Sequence, residues 1–267
     1  METYRLKNIA IVILLLLNGC LLLIVGQQKL QSLGSERRSA ARLRELYQAN
    51  QLTLGERIDL TQQPLGPRTL VRQAETEQAI ASALLGGDAV STTSQGGGIY
   101  SYEAERGTIQ FRAGGSFYGS HLKLPVPDPE SFSRDFCARF GYEEPQVRQE
   151  DGTGSAVAAQ RVDDVPVANC GVELYFEHGM LTSVTGAHVS LEKASVEPGE
   201  QMTCVTALLR FLDYRNASGV VCSEVTGVQC VYQLQGAAAL RLLPAWEIQT
   251  DTHTYYVDCE TGEVYGR

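Results

Sequence analysis

Three times the chain runs an aromatic-rich segment into Glu-x-Gly-x-apolar, each time behind a helix-like stretch. The first copy is YSYEAERGTIQF, with Glu105 and Gly107 in the motif. The second is VELYFEHGMLTSV, with Glu177 and Gly179. The third is TYYVDCETGEVYG, with Glu260 and Gly262. Alternating aromatic and β-branched residues read as strand. Glycine accepts the positive φ that a tight hairpin requires, and the next strand restarts two residues on. One such match carries little information. Three together make these six residues candidate structural positions of hairpins.

The helix-like stretches are AETEQAIASALLGG (74–87), DPESFSRDFCARFGY (128–142) and PGEQMTCVTALLRFLDY (198–214). Pro129 and Pro198 suit helix starts, and Gly or Asn closes the first and third. The expected fold class is α+β, built of helix-plus-antiparallel-sheet units over 61–124, 125–195 and 196–267. Their unequal lengths argue against a solenoid.

Ahead of these units, residues 9–26 carry no charged side chain. As a helix they reach roughly 27 Å at about 1.5 Å per residue, enough for a hydrocarbon core. A single N-terminal transmembrane helix is therefore expected there. Leu17-Asn18-Gly19-Cys20 has the outline of a lipoprotein processing site. However, LLLIVG follows Cys20, where a polar tether belongs, so a spanning helix is favoured over lipidation. Arg5, Lys7 and the α-amine mark residues 1–8 as a cytoplasmic tail. The expected localisation is thus the cell membrane, single-pass, with a juxtamembrane helix and connector over 27–60 and an extracytoplasmic body.

Asn18 shares a helix face with Leu14, Leu22 and Val25. A carboxamide in hydrocarbon is stabilised by a partner on a neighbouring helix, so these four residues are the candidate partner-binding face. A tolerated polar residue in a sufficiently apolar helix explains Asn18 equally well. The lipid bilayer itself is the other partner this segment implies.

The formal net charge is −9, and the part beyond residue 49 is more acidic than the whole. Phosphate neutralisation needs clustered Lys and Arg, so nucleic acid is excluded as a partner. The chain has no Gly-x-Ser-x-Gly, His-Glu-x-x-His, Walker loop or Gly-x-Gly-x-x-Gly. A non-enzymatic protein is expected, with no catalytic residue, cofactor or metal. Of seven cysteines, Cys20 lies in the apolar run, leaving Cys137, Cys170, Cys204, Cys222, Cys230 and Cys259. Cys222 and Cys230 flank EVTG and are candidates for a disulfide across a hairpin. The alternative is that the body cysteines are free and act as small apolar residues.

RVDDVPVANCGVELYFEHGMLTSV and LLPAWEIQTDTHTYYVDCETGEVYG resemble PepSY-type modules. In those modules a Pro-x-Trp strand is followed by a tyrosine-rich strand and a Thr-Gly-Glu-Val turn. Taken with the short head, the apolar run and RRSAARLRELYQANQLTL, the chain resembles the YycI/YycH-like regulatory proteins of Gram-positive bacteria nearly end to end. The resemblance implies a membrane accessory of a two-component system that governs cell-wall metabolism. Such a protein associates with the WalK sensor histidine kinase through transmembrane helices, with a related YycH-type accessory as a further partner. The cysteine content departs from that family's pattern. The alternative function is an extracytoplasmic PepSY-like binding module for a peptide, a protease or a cell-wall ligand.

Overall fold

The computed structural model describes residues 39–87, 90–92, 98–198, 202–236 and 240–266, with 90–92 described by backbone alone. A first helix, α1, covers 39–49 and leads to two short strands, β1 (Thr53–Leu54) and β2 (Arg68–Leu70). Three runs of one helix and four strands follow. In the first, α2 (Ala74–Leu85) precedes β3 (Val90–Thr92), β4 (Ile99–Ala104), β5 (Gly107–Arg112) and β6 (Ser116–Pro125). In the second, α3 (Pro129–Phe140) precedes β7 (Gln146–Glu150), β8 (Thr153–Val162), β9 (Val165–Glu177) and β10 (Met180–Ala187). After a short β11 (Ser195–Val196), α4 (Cys204–Ser218) precedes β12 (Glu224–Gln235), β13 (Leu240–Thr250), β14 (Thr254–Asp258) and β15 (Val264–Gly266).

Local chemistry sets these boundaries. Asp128 accepts a hydrogen bond from the Ser131 N–H at 3.1 Å and caps α3 with Pro129 at its first position. Thr203 accepts from the Thr206 N–H at 3.3 Å, so α4 begins at Cys204 and not at Pro198. Gly86, Gly141 and Gly219 close α2, α3 and α4 in the left-handed conformation. The hairpins of the second run share one turn. Asp151-Gly152, Asp163-Asp164 and His178-Gly179 all hold positive φ at both central residues, the type I′ geometry that matches strand twist.

The first two runs make one antiparallel sheet in the order β3-β4-β5-β6-β10-β9-β8-β7. Each run is a four-strand meander, and the two meet through their last strands, with Val184 facing Gly119. Helices α2 and α3 cover one face. Ile80, Leu84, Phe136 and Phe140 pack there on Phe111, Phe117, Leu174 and Phe176. The third run makes a second antiparallel layer, β12-β13-β14-β15, under α4. Leu208 and Phe211 of α4 and Tyr47 of α1 pack with Trp246, Ile248 and Val257. The Tyr47 hydroxyl donates to the Leu208 carbonyl at 2.7 Å and ties α1 onto α4.

The two layers join at a bulge. Ala159 of β8 faces Gly171 of β9, but the next residue, Gln160, faces Val167, so Ala168, Asn169 and Cys170 bulge from the ladder. Beyond the bulge β9 turns to β12 and pairs with it in parallel, Val167 facing Tyr232. Two carboxamides hold the crossing. Asn169 accepts from the Leu234 N–H and donates to the Leu234 carbonyl, both at 2.8 Å. Gln160, 2% exposed, does the same for Val189, at 2.9 and 2.8 Å. Only glycine fits at 171, because a Cβ there would lie 2.7 Å from the Ala158 carbonyl oxygen. His188, beside Val189, directs its Nε2 at the Phe140 carbonyl at 3.1 Å and packs edge-on to Tyr142.

Two expectations are corrected here. The fold is not a set of α+β units carrying only antiparallel sheet. Among the described residues it is dominated by one fifteen-stranded mixed sheet, with parallel pairs at β1·β12 and β12·β9 and the helices laid on its faces. The reason is strand length: β6, β9, β12 and β13 run to 10–13 residues and pair beyond their own runs. The expected anchor, with Leu14, Asn18, Leu22 and Val25, lies outside the described residues. Among the described residues no helix is long and apolar enough to cross a membrane. The longest helix among the described residues, α4, has 15 residues and carries Arg210, Asp213 and Arg215. The single-pass localisation with its body outside is therefore withdrawn.

Two outcomes follow for stability. Gln160→Ala strands the buried main-chain groups of Val189 and should cost about 2–3 kcal/mol in urea unfolding, whereas Asn169→Ala, at an exposed position, should cost about 1 kcal/mol. Equal losses would contradict the account of the crossing. Loss of water around the His188 ring pulls its pKa down from 6.5 to about 4. Between those values the unfolded chain binds the proton and the folded one does not, so stability falls as pH drops through that window. The expected loss is on the order of 2 kcal/mol between pH 7 and pH 4. In His188→Gln the pH dependence of the unfolding midpoint should flatten there.

Candidate functional site

Where the first turn of α4 approaches β13 and the β14–β15 turn, a cavity of about 480 Å³ opens. Its apolar wall is Pro67, Pro198, Met202, Leu243, Pro244 and Cys259, and its polar edge holds Glu197, Thr203, Thr206, Arg241 and Glu260. Sequence-distant residues meet because β2 and β14 pair with successive parts of β13. Arg68, Thr69 and Leu70 face its start, and Thr254–Asp258 face Ala245–Gln249.

Each polar group is held. Arg241 donates to both oxygens of Glu197, at 3.2 Å from Nε and 2.6 Å from Nη2, and the Thr69 hydroxyl donates to the same carboxylate. The Arg241 guanidinium, followed by the Thr69 hydroxyl, keeps the Glu197 carboxyl below the usual carboxylate range. Glu260 lies 3.5 Å from Arg241 Nη2. Its loop is shaped by Asp258, whose Oδ1 accepts from the N–H groups of Glu260 and Thr261, both at 2.8 Å. Gly262, with φ of 73°, returns its N–H to the Asp258 carbonyl at 2.9 Å. The indole N–H of Trp246 donates to the Met202 carbonyl at 2.8 Å, so the chain's only tryptophan is bonded to a residue of the cavity wall.

The three Glu-x-Gly motifs fall in turns of three different kinds. Glu105 and Arg106 form a tight turn, and Gly107 opens β5 with φ of 142°. Glu177 ends β9, and His178-Gly179 is a type I′ turn. Glu260 and Gly262 belong to the wider loop that borders the cavity. Of the three glutamates, it is Glu260 that reaches the candidate site.

Cys222 and Cys230 are not brought together. Cys222 precedes β12 and Cys230 lies within it, so EVTG is strand and not a turn. Eight residues of extended chain span roughly 26 Å, far beyond the reach of a disulfide. The hairpin disulfide is therefore corrected: both cysteines are free. Among the described residues no group of three or more His, Cys, Asp or Glu side chains is arranged to hold a metal ion.

No local pattern in the chain marks the cavity. Its residues come from four separate segments, and the local signals at Pro198, Pro244, Cys259 and Glu260 point to a helix start, strands and a turn rather than to a cavity. The pairing of β2 with β13 that assembles it is a tertiary contact between segments about 170 residues apart in the chain.

No family model matches the chain, and no curated protein matches it. The solved structures that resemble it include one titled the Bacillus megaterium YpeB C-terminal domain. That domain is 8% identical and superposes with a TM-score of 0.35, over 74% of this chain and 98% of its own length.

Proposed function

We propose that this chain is a non-enzymatic binding module whose cavity beside α4 takes an apolar side chain of a short peptide segment. The observation that carries the reading is the cavity itself. Its volume of about 480 Å³ falls within the usual range of roughly 300–1,000 Å³ for ligand sites. Three prolines, Met202, Leu243 and Cys259 offer an apolar pocket for the side chain. The Thr203 and Thr206 hydroxyls and the Glu260 carboxylate stand at its edge, where peptide amides can bond to them. Glu197 and Arg241 neutralise each other, which leaves Glu260 as the surplus charge. A basic residue next to the apolar one is therefore favoured, and the net charge of −9 attracts it from a distance. The narrower reading, an accessory of a sensor histidine kinase, rests on the family resemblance alone, since its contact face lies outside the described residues.

Trp246 supplies the readout. Five-residue peptides with a central Leu or Met flanked by Lys should change its emission saturably, with a Kd of about 1–100 μM. The same peptides flanked by Glu should bind at least ten times more weakly. Thr206→Phe, at an exposed helix position, fills the cavity and should abolish the response while leaving the unfolding midpoint within a few degrees. Absence of binding across the panel, or equal binding by Thr206→Phe, would overturn the reading.

A further inference from the structure

Strand β7 closes the eight-stranded layer at the end away from β3. Among the described residues it pairs only with β8, along its whole length and without a bulge. The type I′ turn at Asp151-Gly152 closes with Glu150 and Thr153 as a hydrogen-bonded pair. Alternation then turns the main-chain groups of Glu150, Arg148 and Gln146 toward β8 and those of Gln149 and Val147 away from it. The N–H and C=O groups of Gln149 and Val147 therefore line the outer edge, where another strand can pair with them. Natural edges are commonly blocked by lysine, proline or a bulge. The stretch QVRQE has none of these, and its two charges are of opposite sign.

We propose that a second copy of this chain adds to the β7 edge, antiparallel, about a two-fold axis that passes through Gln149 normal to the sheet. Charge complementarity selects this occupant. Val147 packs on the core, so Arg148 and Glu150 project together from the opposite, open face. Both are exposed, and neither forms an ion pair among the described residues. With the axis through Gln149, Arg148 faces Glu150 of the partner subunit, and Glu150 faces the partner's Arg148. These are non-hydrogen-bonded pairs, the positions where facing side chains stand closest, at about 4.5 Å between Cα atoms. Opposite charges there stabilise the pairing, and like charges oppose it.

The register is specific. Moving the axis one residue either way sets Arg148 against Arg148, or Glu150 against Glu150. The backbone selects the same register, because Gln149 directs its N–H and C=O outward and exchanges both bonds with its counterpart across the axis. Pairing joins the eight-stranded layers of two copies into one continuous sheet, with the helices on one side and the open faces on the other. The cavity beside α4 belongs to the other layer and takes no part, so this inference stands apart from the peptide reading.

The test uses the full-length chain carrying Gln149→Cys. It is oxidised mildly at roughly 100 μM, a concentration suited to the weak affinity of so short a strand, and inter-chain disulfides are mapped by mass spectrometry. Hydrogen-bonded partners lie about 5.5 Å apart at Cα, within disulfide reach. Val221→Cys, at a position 83% exposed, measures random collision. The expected result is a cross-link between the two introduced thiols of Gln149→Cys, well above that control. Adding Arg148→Glu should lower its yield about tenfold, and so should adding Glu150→Arg, because each sets like charges face to face. Mixing these two variants should restore the yield as a cross-link between them, since opposite charges then face each other again. Both changes fall on exposed side chains and leave the packing untouched. A yield no higher than the Val221→Cys control, equal yields with and without the charge reversals, or no recovery in the mixture would overturn the proposal.

Discussion

The bulge where β9 leaves β8 is the constraint on which the rest of the molecule depends. Without the jump in register at Gln160, β9 would continue flat along β8, and its first residues would not reach β12. A sheet cannot turn between layers without breaking its ladder, and the broken ladder exposes main-chain groups that need other partners. Here side chains supply them. Gln160 and Asn169 each present a donor and an acceptor in the spacing of a peptide group, and each clasps both main-chain groups of one residue. Gln160 makes these bonds in the interior, where leaving the groups unpaired is most costly.

From that crossing the architecture propagates outward to the cavity. Once β9 holds β12, the long β12–β13 hairpin carries the second layer away from the first, and its far strands are free to take α1 and α4 on one face. The start of β13 then pairs with β2, and its later part pairs with β14. The cavity sits where these two partners part, with the first turn of α4 alongside. Pro244 lies at that junction and keeps its carbonyl as an acceptor for Cys259. The same strand therefore positions the cavity wall and the indole that reports on it.

Legibility in the sequence followed the range of each interaction. Hairpin turns and helix caps depend on neighbours within four residues, and AETEQAIASALL, PESFSRDFCARF and CVTALLRFLDYRNAS all lie within or close to the helical segments expected from periodicity. The start of α4 was misplaced because Pro198 is a permitted first residue, while the cap that decides the matter is the Thr203–Thr206 bond. The Cys222–Cys230 pairing failed because EVTG has the glycine of a turn but the β-branched residues of a strand, and pairing with β1 and β13 decided for strand. The mixed sheet and the cavity were not legible at all. They rest on partners such as Val167 with Tyr232, and Arg241 with Thr69, whose encounter no local pattern encodes.

The most direct measurement of the central claim is amide and indole chemical-shift mapping of the isotope-labelled full-length chain during titration with a Lys-Leu-Lys-type peptide. The account predicts saturable shifts confined to Met202–Thr206, the Trp246 indole, Arg241–Leu243 and the loop from Cys259 to Gly262. Shifts centred instead on the β7 edge or on the open face of the eight-stranded layer would contradict it, because a peptide bound there would owe nothing to the cavity beside α4.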